Sequence, residues 1–247
     1  MINKISVIMP IYNGGDYFKE SYQSILAQRI DDFELIVVDD GSSDDSYEVV
    51  KEWAVRDLRI KLYRNECNSG VAYSRNYALD NATGEYIAFL DCGDIWLENK
   101  LQLQITALET TDSDVCYTGY QYFDEKTRVI IRNYQVPERV TYPDLLVENY
   151  VGCSTVVAKR ACFERNRFDQ AFFHEDYVLW LSLLKEKYNF IGLPTCLVNY
   201  RTGGRSANKW RAALNKWRVL RKAEKLSLFQ AIPVFIKYGF RMIRKYH

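Results

Sequence analysis

Three groups of carboxylates follow apolar segments in this chain: Asp39-Asp40, Asp91 with Asp94, and Glu175-Asp176. Carboxylates grouped at such points suit two tasks. They accept hydrogen bonds from a nucleotide, and they share a divalent cation with its phosphates, because magnesium-type ions take one or two protein carboxylates and complete their shell with phosphate and water. Each group also has a plainer use. Asp39-Asp40-Gly41-Ser42-Ser43 can cap the following helix, and Glu175-Asp176 can complement a helix N-terminus. Their joint occurrence in one chain favours a site. Only two histidines are present, one of them terminal, which leaves little room for a His-rich zinc site or a His-driven triad. The six cysteines never fall in a C-x-x-C spacing and read as reduced, mostly buried thiols of a cytoplasmic protein.

The elements that must position these residues alternate. Strand-like runs at 5–9, 33–38, 60–63 and 86–90 are separated by segments of helical spacing at 16–28, 44–57 and 70–81. Runs apolar on both faces imply a mainly parallel sheet covered by helices on both sides, with ligands beyond the carboxyl ends of the strands. Further strands are predicted at 115–123, 129–134, 154–158, 190–193 and 196–200, a short helix at 142–149, and a longer one at 175–188 with Leu179, Trp180, Leu183 and Leu184 on its apolar stripe. The 247 residues are 48% hydrophobic and 26% charged, as in an ordered globular protein. No run is long enough to predict a transmembrane helix, and none reads as a signal peptide.

The formal net charge of +1 hides an asymmetry. Residues 201–247 carry thirteen basic side chains and one acidic one, a net +12, which leaves −11 for residues 1–200. Within 209–226, Trp210, Leu214, Trp217 and Leu220 share a stripe among Lys216, Arg218, Arg221 and Lys222. A second segment, expected to start at Pro233, groups Lys237, Arg241, Arg244 and Lys245 opposite Phe235, Gly239, Met242, Ile243 and Tyr246. Basic amphipathic helices with aromatics on the apolar face suit a membrane surface. Packing on the catalytic domain, or a homo-oligomer interface, are competing uses. No nucleic-acid recognition module accompanies the charge.

The segments ISVIMPIYN from Ile5, FELIVVDDGSSDDS from Phe33, NSGVAYSRNYALDNATGEYIAFLDCGDIW from Asn68 and EDYVLWLSLL from Glu175 stand in an order and spacing that resembles the family 2 glycosyltransferases. The likeness runs over about residues 3–206 and implies the α/β glycosyltransferase type A fold, Rossmann-like, with a catalytic domain at 1–206 and a basic amphipathic tail at 207–247. It implies an inverting transfer from a nucleotide-sugar, expected to be a UDP-sugar, to a hydroxyl of a lipid-linked or growing bacterial surface glycan at the cytoplasmic face of the membrane. Pro10, Tyr12 and Asp40 would then line the uracil pocket with Asp39 close by, and Asn68, Gly70 and Arg75 would lie beside the nucleotide. Asp91 would sit near ribose and a Mn²⁺ or Mg²⁺ ion, Asp176 would be the general base, and Glu175 would support it. Trp180 could serve a sugar platform or the core. Arg201, Arg205 and Ser206 would face the leaving diphosphate from a loop made pliant by Gly203-Gly204. The family's metal motif usually reads Asp-x-Asp-Asp, whereas here its third position is Gly93, so metal binding falls to Asp91 or Asp94 or to the phosphates. Acceptor contacts are expected from 115–175.

Two other classes compete. A catalytically silent nucleotide-sugar-binding scaffold of the same fold is motivated by Gly93. A sugar nucleotidyltransferase would share the carboxylates, but Asn13-Gly14-Gly15-Asp16 lacks the basic residue of a triphosphate loop.

Overall fold

The apolar run of β1 (Ile5–Ile11) and that of β2 (Phe33–Asp39) are buried almost throughout, which makes them the centre of a sheet. The computed structural model describes residues 4–201 and 209–246. Among these, β3 (Ile60–Arg64), β4 (Tyr86–Phe89), β5 (Ile95–Trp96), β6 (Val115–Phe123), β7 (Ile130–Tyr134), β8 (Val157–Lys159) and β9 (Phe190–Arg201) complete a nine-stranded mixed sheet. Its order is β3-β2-β1-β4-β8-β6-β9-β5, with β7 paired to β6. The parallel expectation holds for β3, β2, β1 and β4. Beyond them β8 lies antiparallel to both β4 and β6, while β6 and β9 are parallel.

Alternation along β1 divides the core. Ile5, Val7, Met9 and Ile11 face α1 (Gly15–Leu26), α2 (Ser46–Arg56) and α4 (Lys100–Thr111). Ile8 joins the opposite cluster, built with α3 (Val71–Asp80), α5 (Tyr142–Val147) and α6 (Glu175–Lys185). The two short strands expected at 190–193 and 196–200 form one strand, because the register of β6 against β9 shifts at Gly119. A Cβ on Gly119 would lie 2.5 Å from the Pro194 carbonyl oxygen, so this close crossing requires glycine. Ser154, expected in a strand, instead sits in a 3₁₀ turn, Cys153–Thr155. The six cysteines are unpaired thiols.

The described part of the basic stretch is helical, as expected, and packs on the body. A helix α7 (Lys209–Arg218) runs into a π-helical turn at Val219–Ala223, then α8 (Leu228–Tyr246) follows. Val219, Leu220 and Ala231 are buried in the same cluster as α5 and α6. Lys216, expected on a charged face, is buried with its Nζ 2.5 Å from the Tyr177 hydroxyl, and burial pushes its pKa down to about 7. Pro233 does not separate two helices but lies inside α8. It stands on the exposed side, where water can take up the carbonyl its ring deprives of a partner. Phe235 packs against Trp217, and the outward apolar row is Phe229, Ile232, Ile236 and Phe240.

Candidate active site

The sheet's carboxyl ends open into a cleft of about 1350 Å³ lined by residues from both halves of the fold. At one end lie Pro10, Tyr12, Asp40, Asn68 and Gly70, with the Tyr12 ring 49% exposed and available for stacking. Asp40 is buried and organises this end. Its Oδ1 accepts from the Ser69 N–H at 2.9 Å and Asn65 Nδ2 at 2.7 Å, while Oδ2 accepts from the Gly70 N–H at 2.8 Å. The 68–70 turn is thereby pinned to the end of β2, and Gly70, at φ +91°, opens α3 in a backbone region that favours glycine. Asp39 belongs elsewhere. Neighbouring strand residues point to opposite faces, so Asp39 is fully buried, pairs with Arg64 at 3.1 Å, and is not part of the cleft lining.

Arg75 ties the middle of the cleft together. Projecting from α3 and almost wholly buried, it donates from Nη2 to Asp91 at 2.5 Å and from Nη1 to Glu175 at 2.6 Å. Burial opposes its charge, but Asp91 and the other nearby acids hold its pKa well above the ordinary value. A residue expected beside the nucleotide is thus a brace between the β4 terminus and the head of α6. Asp176, next to Glu175, lines the cleft half-buried, and one oxygen accepts the Tyr177 N–H at 2.7 Å. Burial, then the Glu175 charge, raises its pKa to about 7. A carboxylate poised there can take a proton at neutral pH.

Asp91 and Asp94, expected together, have different environments. Asp91 reaches the cleft with its side chain 39% exposed. Asp94 is buried, accepts from Ser154 Oγ at 2.6 Å, and is pushed up to about 8 by burial and then by Asp91. Ser154 Oγ also accepts the Asp91 N–H at 3.1 Å, so Asp94 shapes the turn that presents Asp91. Gly93 between them has φ +107°, where an Asp would be strained. Among the described residues no group of three or more His, Cys, Asp or Glu side chains could hold a metal alone. The donor set fits an ion that takes one ligand from Asp91 and most of its shell from phosphate and water.

Arg201 also lines the cleft, but its guanidinium is engaged. Nε donates to the Gly93 carbonyl at 3.1 Å, Nη2 to Glu20 at 2.7 Å, and Nη1 lies 3.4 Å from Glu125. It stacks over Tyr17 at 4.4 Å. Arg205 and Ser206 lie outside the described residues. Trp180 is fully buried against Phe89 and Phe168, so it belongs to the core and not to a sugar platform.

Several cleft residues went unnoticed in the sequence. His174 precedes Glu175 at the start of α6. Tyr120, Tyr122 and Tyr134 come from the consecutive strands β6 and β7, and Tyr200 from the distant β9. The position of His174 beside the acidic pair was a usable signal. Nothing in the spacing of the tyrosines announces their meeting, which depends on strand pairing.

Known proteins similar to this chain are glycosyltransferases. The family model described as glycosyl transferase family 2 matches residues 6–172. A glycosyltransferase named for teichuronic acid biosynthesis, TuaG of Bacillus subtilis, is 34% identical over 98% of this chain and 96% of its own length. WfgD of Escherichia coli, named as a UDP-Glc:α-D-GlcNAc-diphosphoundecaprenol β-1,3-glucosyltransferase, is 39% identical over 87% of this chain and 85% of its own. Among solved structures, the mannosyltransferase PcManGT of Pyrobaculum calidifontis, in complex with GDP-Man and Mn²⁺, superposes with a TM-score of 0.75 at 20% identity, covering 97% of this chain and 70% of that one. TarS 1–349 of S. aureus with UDP-GlcNAc gives 0.69 at 21%, covering 95% and 71%. These likenesses show the glycosyltransferase type A fold.

Proposed function

The chain belongs to glycosyl transferase family 2, and on that premise we propose that it transfers a sugar, with inversion, from a UDP-sugar to a hydroxyl of a lipid-linked or growing bacterial surface glycan. The observation that carries this reading is the brace Asp91–Arg75–Glu175, which joins the nucleotide side of the cleft to the helix bearing Asp176. Tyr12 stacks on the base, and Asp40 and the turn at Asn68 and Gly70 hold the nucleoside. Asp176 takes the proton of the acceptor hydroxyl as its oxygen attacks the anomeric carbon. A single base opposite the leaving group suffices for an in-line displacement. Glu175, held by Arg75, orients the head of α6.

Negative charge grows on the departing diphosphate. A Mn²⁺ or Mg²⁺ ion held by Asp91, with Asp94 behind it, would supply positive charge there. Arg201, with Arg205 and Ser206 beyond it, is the chain's own candidate to face the same phosphates. For Arg201 this requires exchanging its carboxylate partners for the donor.

The acceptor class rests on the activity for which WfgD is named. Peripheral attachment at the cytoplasmic membrane face fits the C-terminal helices. Among the described residues no helix is long and apolar enough to cross a membrane, yet α8 turns Phe229, Ile232, Ile236 and Phe240 outward beside the exposed Lys237.

The deciding experiment is Asp176→Asn assayed for UDP binding and for transfer. Retained binding with transfer reduced about 10²- to 10⁴-fold is expected. Unchanged transfer would refute the base assignment. Absence of transfer by the unaltered protein, with UDP binding kept, would favour the silent scaffold that Gly93 motivates.

A further inference from the structure

The end of the cleft opposite Tyr12 is walled by tyrosine rings, and the strand register explains how. On β6, Tyr120 and Tyr122 are two residues apart and so share a face. Tyr134 of β7 pairs with Tyr120, Arg132 of β7 pairs with Tyr122, and Tyr200 of β9 lies opposite Tyr122 on the other side. The rings form one patch: centroids are 4.9 Å apart for Tyr120–Tyr134 and Tyr120–Tyr200, 5.6 Å for Tyr120–Tyr122, and 5.9 Å for Tyr122–Tyr200. Tyr120 is buried as the base of the patch, while Tyr122 is 37% exposed to the cleft.

The patch is braced from both sides. A Cβ on Gly152 would lie 2.4 Å from the Tyr200 hydroxyl oxygen, so Gly152 leaves room for that ring. The Tyr134 hydroxyl donates to Glu148, which also receives Arg241 of α8 at 3.2 Å. A rigid set of rings with one face to solvent is placed for the apolar face of a pyranose. In the sheet order β4, followed shortly by Asp91, lies between β1 and β2, which Tyr12 and Asp40 directly follow, and the strands carrying the tyrosines. A sugar on the wall is therefore across the reacting region from the nucleotide, the side from which a hydroxyl would approach Asp176.

Resting on the transferase reading above, we propose that Tyr122 and Tyr200, backed by Tyr120 and Tyr134, form the acceptor subsite. The ligand is a pyranose carrying a diphosphate-type anion, with Arg132 at the rim of the wall receiving the anion. This wall takes the platform role that Trp180, buried in the core, does not fill.

The test measures donor and acceptor KM separately, with UDP-sugar and short-chain prenyl diphosphate sugars as probes. Tyr122→Ala is expected to raise the acceptor KM about tenfold, leaving donor KM and acceptor-free donor hydrolysis unchanged. Tyr122→Phe, which keeps the ring, is expected to stay within about twofold. Arg132→Gln is expected to raise the acceptor KM alone. An unchanged acceptor KM in Tyr122→Ala, or a raised donor KM in its place, overturns the wall as acceptor subsite. An unchanged KM in Arg132→Gln overturns the anion contact. If the unaltered protein binds UDP but elongates none of the prenyl diphosphate sugars, the acceptor class falls. If it binds no UDP, the transferase reading itself falls, on a separate measurement.

Discussion

The two ends of the cleft are built by different means. At the end lined by Tyr12 and Asp40, parallel strands finish in short loops fixed by polar contacts, as the Asp40 carboxylate holds Asn65, Ser69 and Gly70. At the other end, mixed strands present aromatic faces braced from behind, as Tyr134 is by Glu148. A site made of carboxylates and backbone groups held in fixed geometry recognises one shape and charge closely. Ring faces accept any sugar that lays an apolar face on them. The difference suits the proposed transfer, in which a constant nucleotide would be read at one end and an exchangeable glycan at the other.

The comparison breaks most sharply at the brace between the ends. Arg75→Met leaves Asp91 and Glu175 without their shared cation in a buried setting, and a loss of about 3–5 kcal/mol of stability is expected by urea denaturation. A loss under about 1 kcal/mol would show that the brace is dispensable.

Turnover sharpens it next. Asp176 holds its proton up to about pH 7, so activity should climb about tenfold per pH unit up to that point and then level off. The stability consequence has the opposite sense. The folded state binds this proton more tightly than the unfolded chain, so stability falls as pH rises from about 4 to about 7 and stays lower above it. Asp176→Asn should therefore melt higher than the unaltered protein at pH 8, with the difference vanishing near pH 4. Equal melting at pH 8 would remove the burial argument.

Metal removal is a gentler probe of the nucleotide end. With one accessible carboxylate at Asp91 and glycine at 93, metal affinity should be weak but transfer still dependent on Mn²⁺ or Mg²⁺. Full activity in excess EDTA would count against this.

The smallest effect is expected far from both ends. Ile232→Gln, Ile236→Gln and Phe240→Gln together alter only exposed side chains of α8, and should lower co-sedimentation with anionic liposomes while leaving the melting temperature within a few degrees. Each basic residue near such a surface is worth about 1 kcal/mol, screened by salt. Unchanged sedimentation would refute membrane docking through this face, and a concentration-dependent dimer lost in the same variant would assign the face to a second copy.

Much of this was legible in the residues. Runs such as those at 33–38 and 86–90 could only be buried strands, and the carboxylates after them had to lie at the sheet's carboxyl ends. The Asp39–Asp40 pair shows the limit: both are adjacent in the chain, but the pleat sends one to the cleft and the other to Arg64. The segment 95–111 carried no expectation, yet it folds as β5 and α4. Its Trp96 and Leu101 are core residues, but the polar residues among them leave a weak periodicity.

Composition and periodicity by themselves determined the parallel strand–helix beginning, the carboxylates at the sheet's carboxyl ends and the charge asymmetry, since these depend on near neighbours. Only the tertiary structure decided that Arg75 is a brace, that Trp180 is core, that the basic stretch packs into the body, and that four tyrosines form one wall. Each of those depends on register or burial between segments distant in the chain. A local pattern cannot encode which strand pairs with which, and a side chain's role follows from the neighbour that pairing supplies.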